Sequence, residues 1–197
     1  MKNVAVLVSG GGTNLQAILD SEHRGENPNG HVTLVVASKP GVYALTRAEN
    51  AGVKTAVVAR KEYADSAAFD AALLAVLKEN QIDVVVLAGF LSVLGPSVIA
   101  AYPRRILNVH PSLIPSFCGP GFYGLRVHEA ALARGVKVTG ATVHFVNEEC
   151  DGGPILLQKA VAVQPDDTPE TLQKRVMVEA EWQLLPRALA MVCNDEV

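Results

Sequence analysis

Cysteine is scarce: this 197-residue chain has only Cys118, Cys150 and Cys193. The number is odd, the spacings are wide and no CxxC pair occurs. Neither a disulfide framework nor a zinc knuckle is expected, and a reducing compartment is the default. Aromatic residues make up 5% of the chain, too few for the stacking platforms that grip single-stranded nucleic acid. A basic excess is missing too. The 17 Lys and Arg against 20 Asp and Glu give a net charge of -3, which argues against a nucleic-acid domain steered by bulk charge. A small anionic ligand held by a local site remains open. No apolar run approaches the roughly 20 residues of a membrane span. The longest, Val84–Leu91, is broken by Gly89, and the N-terminal run Val4–Val8 is too short for a signal-peptide core. The expectation is a cytoplasmic protein with small-molecule partners, no nucleic acid and no membrane, as a monomer or homodimer.

What the chain does have is alternation. Short β-branched runs at Val4–Val8, Val32–Ala37, Lys54–Val58, Asp83–Ala88 and Ile106–Val109 read as strands. Helical stretches lie between them at Asn14–Asp20, Val42–Asn50, Ser66–Asn80 and Ser97–Ala101. In the third, Ala68, Ala71, Ala72, Ala75 and Val76 fall on one side, and Phe69, Leu73 and Leu77 widen the stripe. Val4–Val8 and Val84–Leu87 are apolar throughout, the pattern of strands buried on both faces of a parallel sheet. Beyond residue 136 the pattern changes to two long strands, Lys137–Val146 and Ile155–Val163, close enough in sequence for a hairpin. Thr168-Pro169 opens a last helix, with Thr168 as cap and Thr171 or Glu170 in support. That helix runs past Trp182 to Pro186, where a kink is expected. The fold class is α/β: a Rossmann-like, mostly parallel sheet with helices on both faces, then a C-terminal β-hairpin and long helix. One domain spans 1–197, with two halves at about 1–105 and about 106–197.

Three motifs can carry chemistry. Ser9-Gly10-Gly11-Gly12-Thr13-Asn14 follows the first strand and opens the first helix. Glycines allow a close backbone approach, and a helix N-terminus suits a phosphate; the plain alternative is a tight strand-to-helix turn. Leu15 stands where the dinucleotide fingerprint needs glycine, and no Gly-Lys-Ser/Thr occurs. A phosphate monoester therefore fits better than NAD or ATP. The second motif, Asn108-Val109-His110-Pro111-Ser112, ends a central strand and puts an amide and an imidazole on one face. The pair suits a developing oxyanion and a proton transfer, although a histidine satisfied by backbone reads the same. The third, Glu148-Glu149-Cys150-Asp151-Gly152-Gly153-Pro154, is a turn that could bring a carboxylate to His110 or simply stay solvated. The loop Asn108–Leu125, rich in Pro and Gly, reads as a binding loop or lid. His144 reads as a strand histidine whose parity could bring it near the site, and His128 as the start of a surface helix. No HxH or HExxH spacing supports a metal.

The ordered set SGGGTN, VVVLAGFLSVL, ILNVHPSLIPSF and TVHFVNEECDGGPILLQ resembles the phosphoribosylglycinamide formyltransferases, the formyl-folate-dependent enzymes of purine synthesis, over about residues 2–190. The resemblance implies a catalytic trio of Asn108, His110 and Asp151. It implies a substrate-phosphate loop at Gly11, Gly12, Thr13 and Asn14, and a ribonucleotide contact at Glu181. It implies a folate pocket along Leu87–Leu94 (Phe90, Leu91, Ser92, Val93 and Leu94 within it), with Asn108 and Val146–Asp151. The co-substrate is 10-formyltetrahydrofolate, with no metal. The related hydrolase, which gives the formyl group to water, is the alternative, disfavoured by the lack of room for its usual N-terminal regulatory domain. The chain departs from the family pattern at several places. Ser66 and Ser92 stand where many members carry arginine, with Arg60 or Lys61 as candidate substitutes for the first. Trp182 stands in place of a histidine. Arg175–Glu181 is one residue longer than usual, and Cys118–Gly124 lengthens the loop after His110.

Overall fold

The computed structural model describes residues 1–197. Seven strands form one sheet in the order β3-β2-β1-β4-β5-β6-β7. They are β1 (Lys2–Val8), β2 (Gly30–Ala37), β3 (Lys54–Val57), β4 (Val84–Leu87), β5 (Ile106–His110), β6 (Val138–Phe145) and β7 (Ile155–Ala162). Strands β1 to β5 are parallel, while β6 and β7 run antiparallel to their neighbours. The helices are α1 (Thr13–His23), α2 (Tyr43–Asn50), α3 (Ser66–Glu79), α4 (Pro96–Ala101), α5 (Leu125–Arg134), α6 (Pro169–Val176) and α7 (Trp182–Cys193). The expected α/β architecture is present, with strand ends shifted by one or two residues. No helix is long and apolar enough to cross a membrane.

Two cores flank the sheet. Val4, Val6 and Val8 of β1, with Val84 and Val86 of β4, pack on one face with α1, α6 and α7. Ala5, Leu7, Val85 and Leu87 point the other way, against α3 and α4. Period-two geometry sends successive side chains to opposite faces, so a strand apolar at every position is a strand covered on both sides. The chain leaves β1 toward β2 and β3, then crosses back to lay β4 on the other side of β1. This reversal makes the carboxyl ends of β1 and β4 the switch point where α/β sheets collect ligands.

Helix α3 corrects one expectation. Phe69, Leu73 and Leu77 are its buried stripe, joined by Asp70, whereas Ala68, Ala71 and Ala75 face solvent. Turning a Phe and two Leu inward removes far more apolar area from water than turning in alanines. Asp70 is buried with them because its carboxylate accepts the Gly95 N–H and the Ser97 hydroxyl at the start of α4.

The C-terminal helical run differs as well. Thr168 caps α6 in a reciprocal box with Thr171. Pro186 does not end the run; α7 continues to Cys193. The irregularity lies upstream, in a π-helical turn at Met177–Glu181. A π turn is how a helix takes in one extra residue without losing its register downstream, and it falls in the stretch expected from the sequence to be one residue longer than usual.

Leu73→Ala is expected to lower unfolding stability by about 2–5 kcal/mol, and Ala71→Ser by no more than about 0.5 kcal/mol. Urea unfolding followed by circular dichroism measures both, and equal losses would mean the helix faces are misassigned.

Candidate active site

The glycine loop leaves β1 and enters α1. Gly12 is left-handed at φ 75° and precedes the helix, and no side chain caps that end. The first N–H groups of α1 therefore remain free of side-chain acceptors, where an anion is favoured. The three glycines do different work. A Cβ on Gly12 would lie 2.6 Å from the Ala44 Cβ, so this residue is glycine because α2 packs against it and because its φ is positive. A Cβ on Gly10 or Gly11 meets nothing within 4 Å. The open approach to the loop is thus over Gly10 and Gly11, not Gly12. Ser9 joins the loop to its surroundings: its hydroxyl accepts from the Ser38 hydroxyl beyond β2 and from the Leu91 N–H beyond β4. Asn14 is buried, its amide donating to a carboxylate oxygen of Glu181 at 2.8 Å. Burial pushes the Glu181 carboxyl up, and the Asn14 bond offsets part of the rise.

The second cluster sits on β5 and β6. Asn108 pairs with His144 across the antiparallel ladder, and His110, two residues on, shares the Asn108 face. Leu107 and Val109 turn to the opposite face and join the core there. The Asn108 amide nitrogen lies 3.1 Å from His144 Nε2 and 3.4 Å from Asp151 Oδ1. His144 Nδ1 is 2.9 Å from its acceptor, the Phe145 carbonyl, which leaves Nε2 to orient the Asn108 amide. Asp151 Oδ2 lies 3.5 Å from His110 Nδ1, and Oδ1 lies 3.5 Å from His144 Nε2. The Gly119 N–H donates to Asp151 Oδ2 at 2.9 Å. Burial works against the Asp151 charge. The Gly119 N–H and the adjacent His144 and His110 rings outweigh it and hold the carboxyl below the usual carboxylate range. Asp151 has φ 55°, a left-handed conformation that Asp and Asn tolerate better than most residues.

The loop after β5 closes over this cluster. The Phe117 carbonyl accepts from His110 Nε2 at 2.8 Å, and the Thr142 hydroxyl donates to the Ser112 carbonyl while accepting the Ile114 N–H. His128 is not a surface residue. It is buried in α5, 1% exposed, with neither ring nitrogen hydrogen-bonded. Burial, followed by the charge of His110, brings it down to about 4. Its place on the inward face of α5 was available from helical spacing, since Val127 and Ala131 are buried beside it.

Of the expected residues, Asn108, His110 and Asp151 converge, and Gly11, Gly12, Thr13 and Asn14 form the uncapped loop with Glu181 against it. The Leu87–Leu94 segment divides. Phe90 and Leu94 turn into the core, Leu91 and Val93 are exposed, and Val146 packs at the core edge. Arg60 Nη2 lies 3.4 Å from the Ser66 hydroxyl, and Arg60 Nη1 donates to the Tyr63 carbonyl. His144 is the residue that motif reading undervalued. Its register opposite Asn108 identifies it once β5 and β6 are paired.

A parallel-sheet switch point, a glycine loop and an Asn-His-Asp cluster on the adjoining strands define a class, and comparison with known proteins agrees. The formyl transferase family model matches residues 2–189, and the chain belongs to that family. It is similar to phosphoribosylglycinamide formyltransferase of Haemophilus influenzae, with 40% identity over 186 residues covering 94% of this chain and 84% of that protein. It is 45% identical over 194 residues to the trifunctional purine biosynthetic protein adenosine-3 of Bos taurus, of which it spans 18%. Among solved structures, glycinamide ribonucleotide transformylase 1 from Symbiobacterium toebii superposes with a TM-score of 0.92 at 42% identity, covering 99% of this chain and 89% of that one.

The His128 shift has a sign that can be measured. The unfolded chain takes up a proton near pH 6.5 and the folded one only near 4. Between those values the unfolded state binds more protons, so stability falls as pH drops through this window. His128→Met removes that contribution. The urea midpoint of the variant is expected to fall less steeply from pH 6.5 to 4 than that of the wild type. Parallel slopes would show that His128 is not held neutral.

Proposed function

We propose that the chain transfers a formyl group from 10-formyltetrahydrofolate to the amine of glycinamide ribonucleotide, with Asn108, His110 and Asp151 as its catalytic residues. The observation that carries this reading is the convergence of those three side chains from β5 and the β6–β7 turn, two strands from β1, whose carboxyl end bears the uncapped glycine loop. Family membership and the similarity to phosphoribosylglycinamide formyltransferases supply the substrates. The N-terminal half, about 1–105, holds the phosphate, and the rest, about 106–197, provides catalysis and folate contacts.

The folate supplies the formyl carbon, and negative charge gathers on its oxygen as the amine attacks. Asn108, whose amide hydrogens point at His144 Nε2 and Asp151 Oδ1 until the substrates displace the longer, 3.4 Å contact, and protonated His110 are the hydrogen-bond donors for that oxygen. In the structure His110 Nε2 is spent on the Phe117 carbonyl. Donation to the formyl oxygen therefore exchanges one acceptor for another, and the loop after β5 yields as the substrates enter. Asp151 stands beside Nδ1, 3.5 Å away, as a carboxylate that pairs with the ring whenever it is protonated. His144 keeps the Asn108 amide turned toward the site. As the C–N bond to the folate breaks, protonated His110 gives its proton to the leaving nitrogen and then takes one from the attacking nitrogen, which closes the proton count. For the folate, exposed Leu91 and Val93 offer apolar contact. Arg60, reaching Ser66, supplies the cation that Ser66 itself lacks.

The first test is turnover with and without the amine; release of formate regardless of the amine would favour the hydrolase. Asn108→Ala and His110→Ala are each expected to lower kcat by at least about 100-fold, the cost of losing one oxyanion donor, with unchanged circular dichroism. Near-normal turnover in either variant removes that residue from the mechanism.

The glycines separate binding from folding. Gly11→Ala adds its methyl group in open space and is expected to raise KM for the ribonucleotide at least about tenfold, with the folate KM little changed. Gly12→Ala, forced against Ala44, is expected to lose about 2 kcal/mol or more of stability instead. Steady-state kinetics and thermal unfolding read the two, and equal effects on both ligands from Gly11→Ala would mean the loop is no phosphate cradle.

A further inference from the structure

At the carboxyl ends of β1, β2 and β4 the sheet ladder stops, and one hydroxyl takes over. Backbone bonds at that level run from the Ser38 N–H to the Val8 carbonyl and from the Ala88 N–H to the Leu7 carbonyl. Gly89, at φ 74°, then turns the chain out of the sheet. Two residues on, the Leu91 N–H makes no backbone bond and donates instead to Ser9 Oγ at 2.9 Å. Ser9 directly precedes Gly10 and is 6% exposed. Its oxygen also accepts the Ser38 hydroxyl at 2.7 Å. A hydroxyl oxygen has two lone pairs, and here both are engaged.

The Leu91 bond does what the surrounding packing cannot. Phe90 and Leu94 anchor the same segment by burying their side chains in the core with α3 and α4. Apolar contact is non-directional. It sets how deep the segment sits, not which way its backbone faces. A hydrogen bond prefers a straight approach and supplies that direction. At the far end Asp70 does so, accepting the Gly95 N–H at 3.0 Å and the Ser97 hydroxyl at 3.3 Å. At the near end Ser9 does so. Between these two fixed points lie Ser92, Val93 and Leu94. The glycine loop has anchors of its own on α2: the Gly10 carbonyl accepts the Ala44 N–H at 3.2 Å, and the Gly11 carbonyl accepts Arg47 Nε at 2.7 Å. The Ser9–Leu91 bond is what joins the loop to the segment.

We propose that Ser9 is a positioning residue that holds the two substrate seats in register. Its hydroxyl fastens the segment that offers Leu91 and Val93 to the folate onto the residue that opens the glycine loop. The formyl donor and the amine are thereby presented at a fixed offset. This rests on the formyl-transfer reading above and adds to it a residue that acts through the Leu91 backbone. Removing the hydroxyl leaves each seat its other anchors: the loop keeps Ala44 and Arg47, and the segment keeps Phe90, Leu94 and Asp70. Binding of either substrate therefore survives better than their alignment. A small misplacement of reacting atoms costs rate out of proportion to affinity.

The test uses the intact chain with Ser9→Ala, which removes the acceptor, Ser9→Cys, whose sulfur is a weak one, and Ser38→Ala, which leaves the Leu91 bond in place. Amide hydrogen exchange followed by NMR needs no substrate. In Ser9→Ala the Leu91 N–H is expected to exchange at least about tenfold faster than in wild type, and in Ser38→Ala within about threefold of it. Steady-state kinetics follow, at saturation with both substrates. Ser9→Ala is expected to lower kcat by about tenfold or more while the KM for the ribonucleotide and for 10-formyltetrahydrofolate each rise less than about threefold. Ser9→Cys falls between Ala and wild type, and Ser38→Ala keeps kcat within about threefold. An unchanged kcat in well-folded Ser9→Ala overturns the proposal, as does a Leu91 amide that exchanges no faster there. KM increases that match the loss of kcat also overturn it and mark a merely structural role. A wild type that formylates no ribonucleotide, with the Leu91 amide still freed by Ser9→Ala, overturns the assigned reaction and leaves the tie between loop and segment standing.

Discussion

A buried carboxylate is unfavourable unless polar groups gather around it, and Asp151 gathers them from three parts of the chain. The loop after β5 contributes the Gly119 N–H, β5 contributes Asn108 and His110, and β6 contributes His144. The same charge therefore bears on the path of the loop and on the orientation of both side chains proposed for catalysis. Because Asp151 sits in a left-handed turn conformation, the β6–β7 hairpin has to make its turn correctly before the charge can reach its partners.

The glycine loop is built on a different physical basis. It is held by packing and by hydrogen bonds to its outer side: Ala44 against Gly12, Arg47 on the Gly11 carbonyl, Ser9 between the ends of β1, β2 and β4. Its inner side carries no such partners. Rigidity comes from behind, so the N–H groups in front stay available, and little ordering remains to be done when an anion arrives.

Local pattern made much of this visible. Continuous apolar runs at β1 and β4 signalled strands buried on both faces. The change after residue 136 signalled the hairpin, and alternation along β5 put Asn108 with His110. What stayed hidden depends on pairing between distant residues. His144 becomes a site residue only through its register with Asn108, 36 positions away. The reason for Gly12 lies in Ala44, on another helix. On α3 the period was evident but not the direction, because alanine and leucine count alike in a pattern and very differently in buried area. At the C-terminal run, proline drew the expected kink to Pro186, while the π turn before it carries no residue signal of its own.

The sheet order has a metric consequence. The glycine loop hangs from β1 and the Asn-His pair from β5, with β4 alone between them. Adjacent strands stand about 4.8 Å apart, so the two stations are separated by on the order of 10 Å. Sheet spacing is among the least adjustable lengths in a protein, since backbone hydrogen bonds set it. For the proposed reaction the strands thus act as a gauge: a phosphorylated amine much shorter or longer than that interval would not present both ends at once, however well either end is recognised.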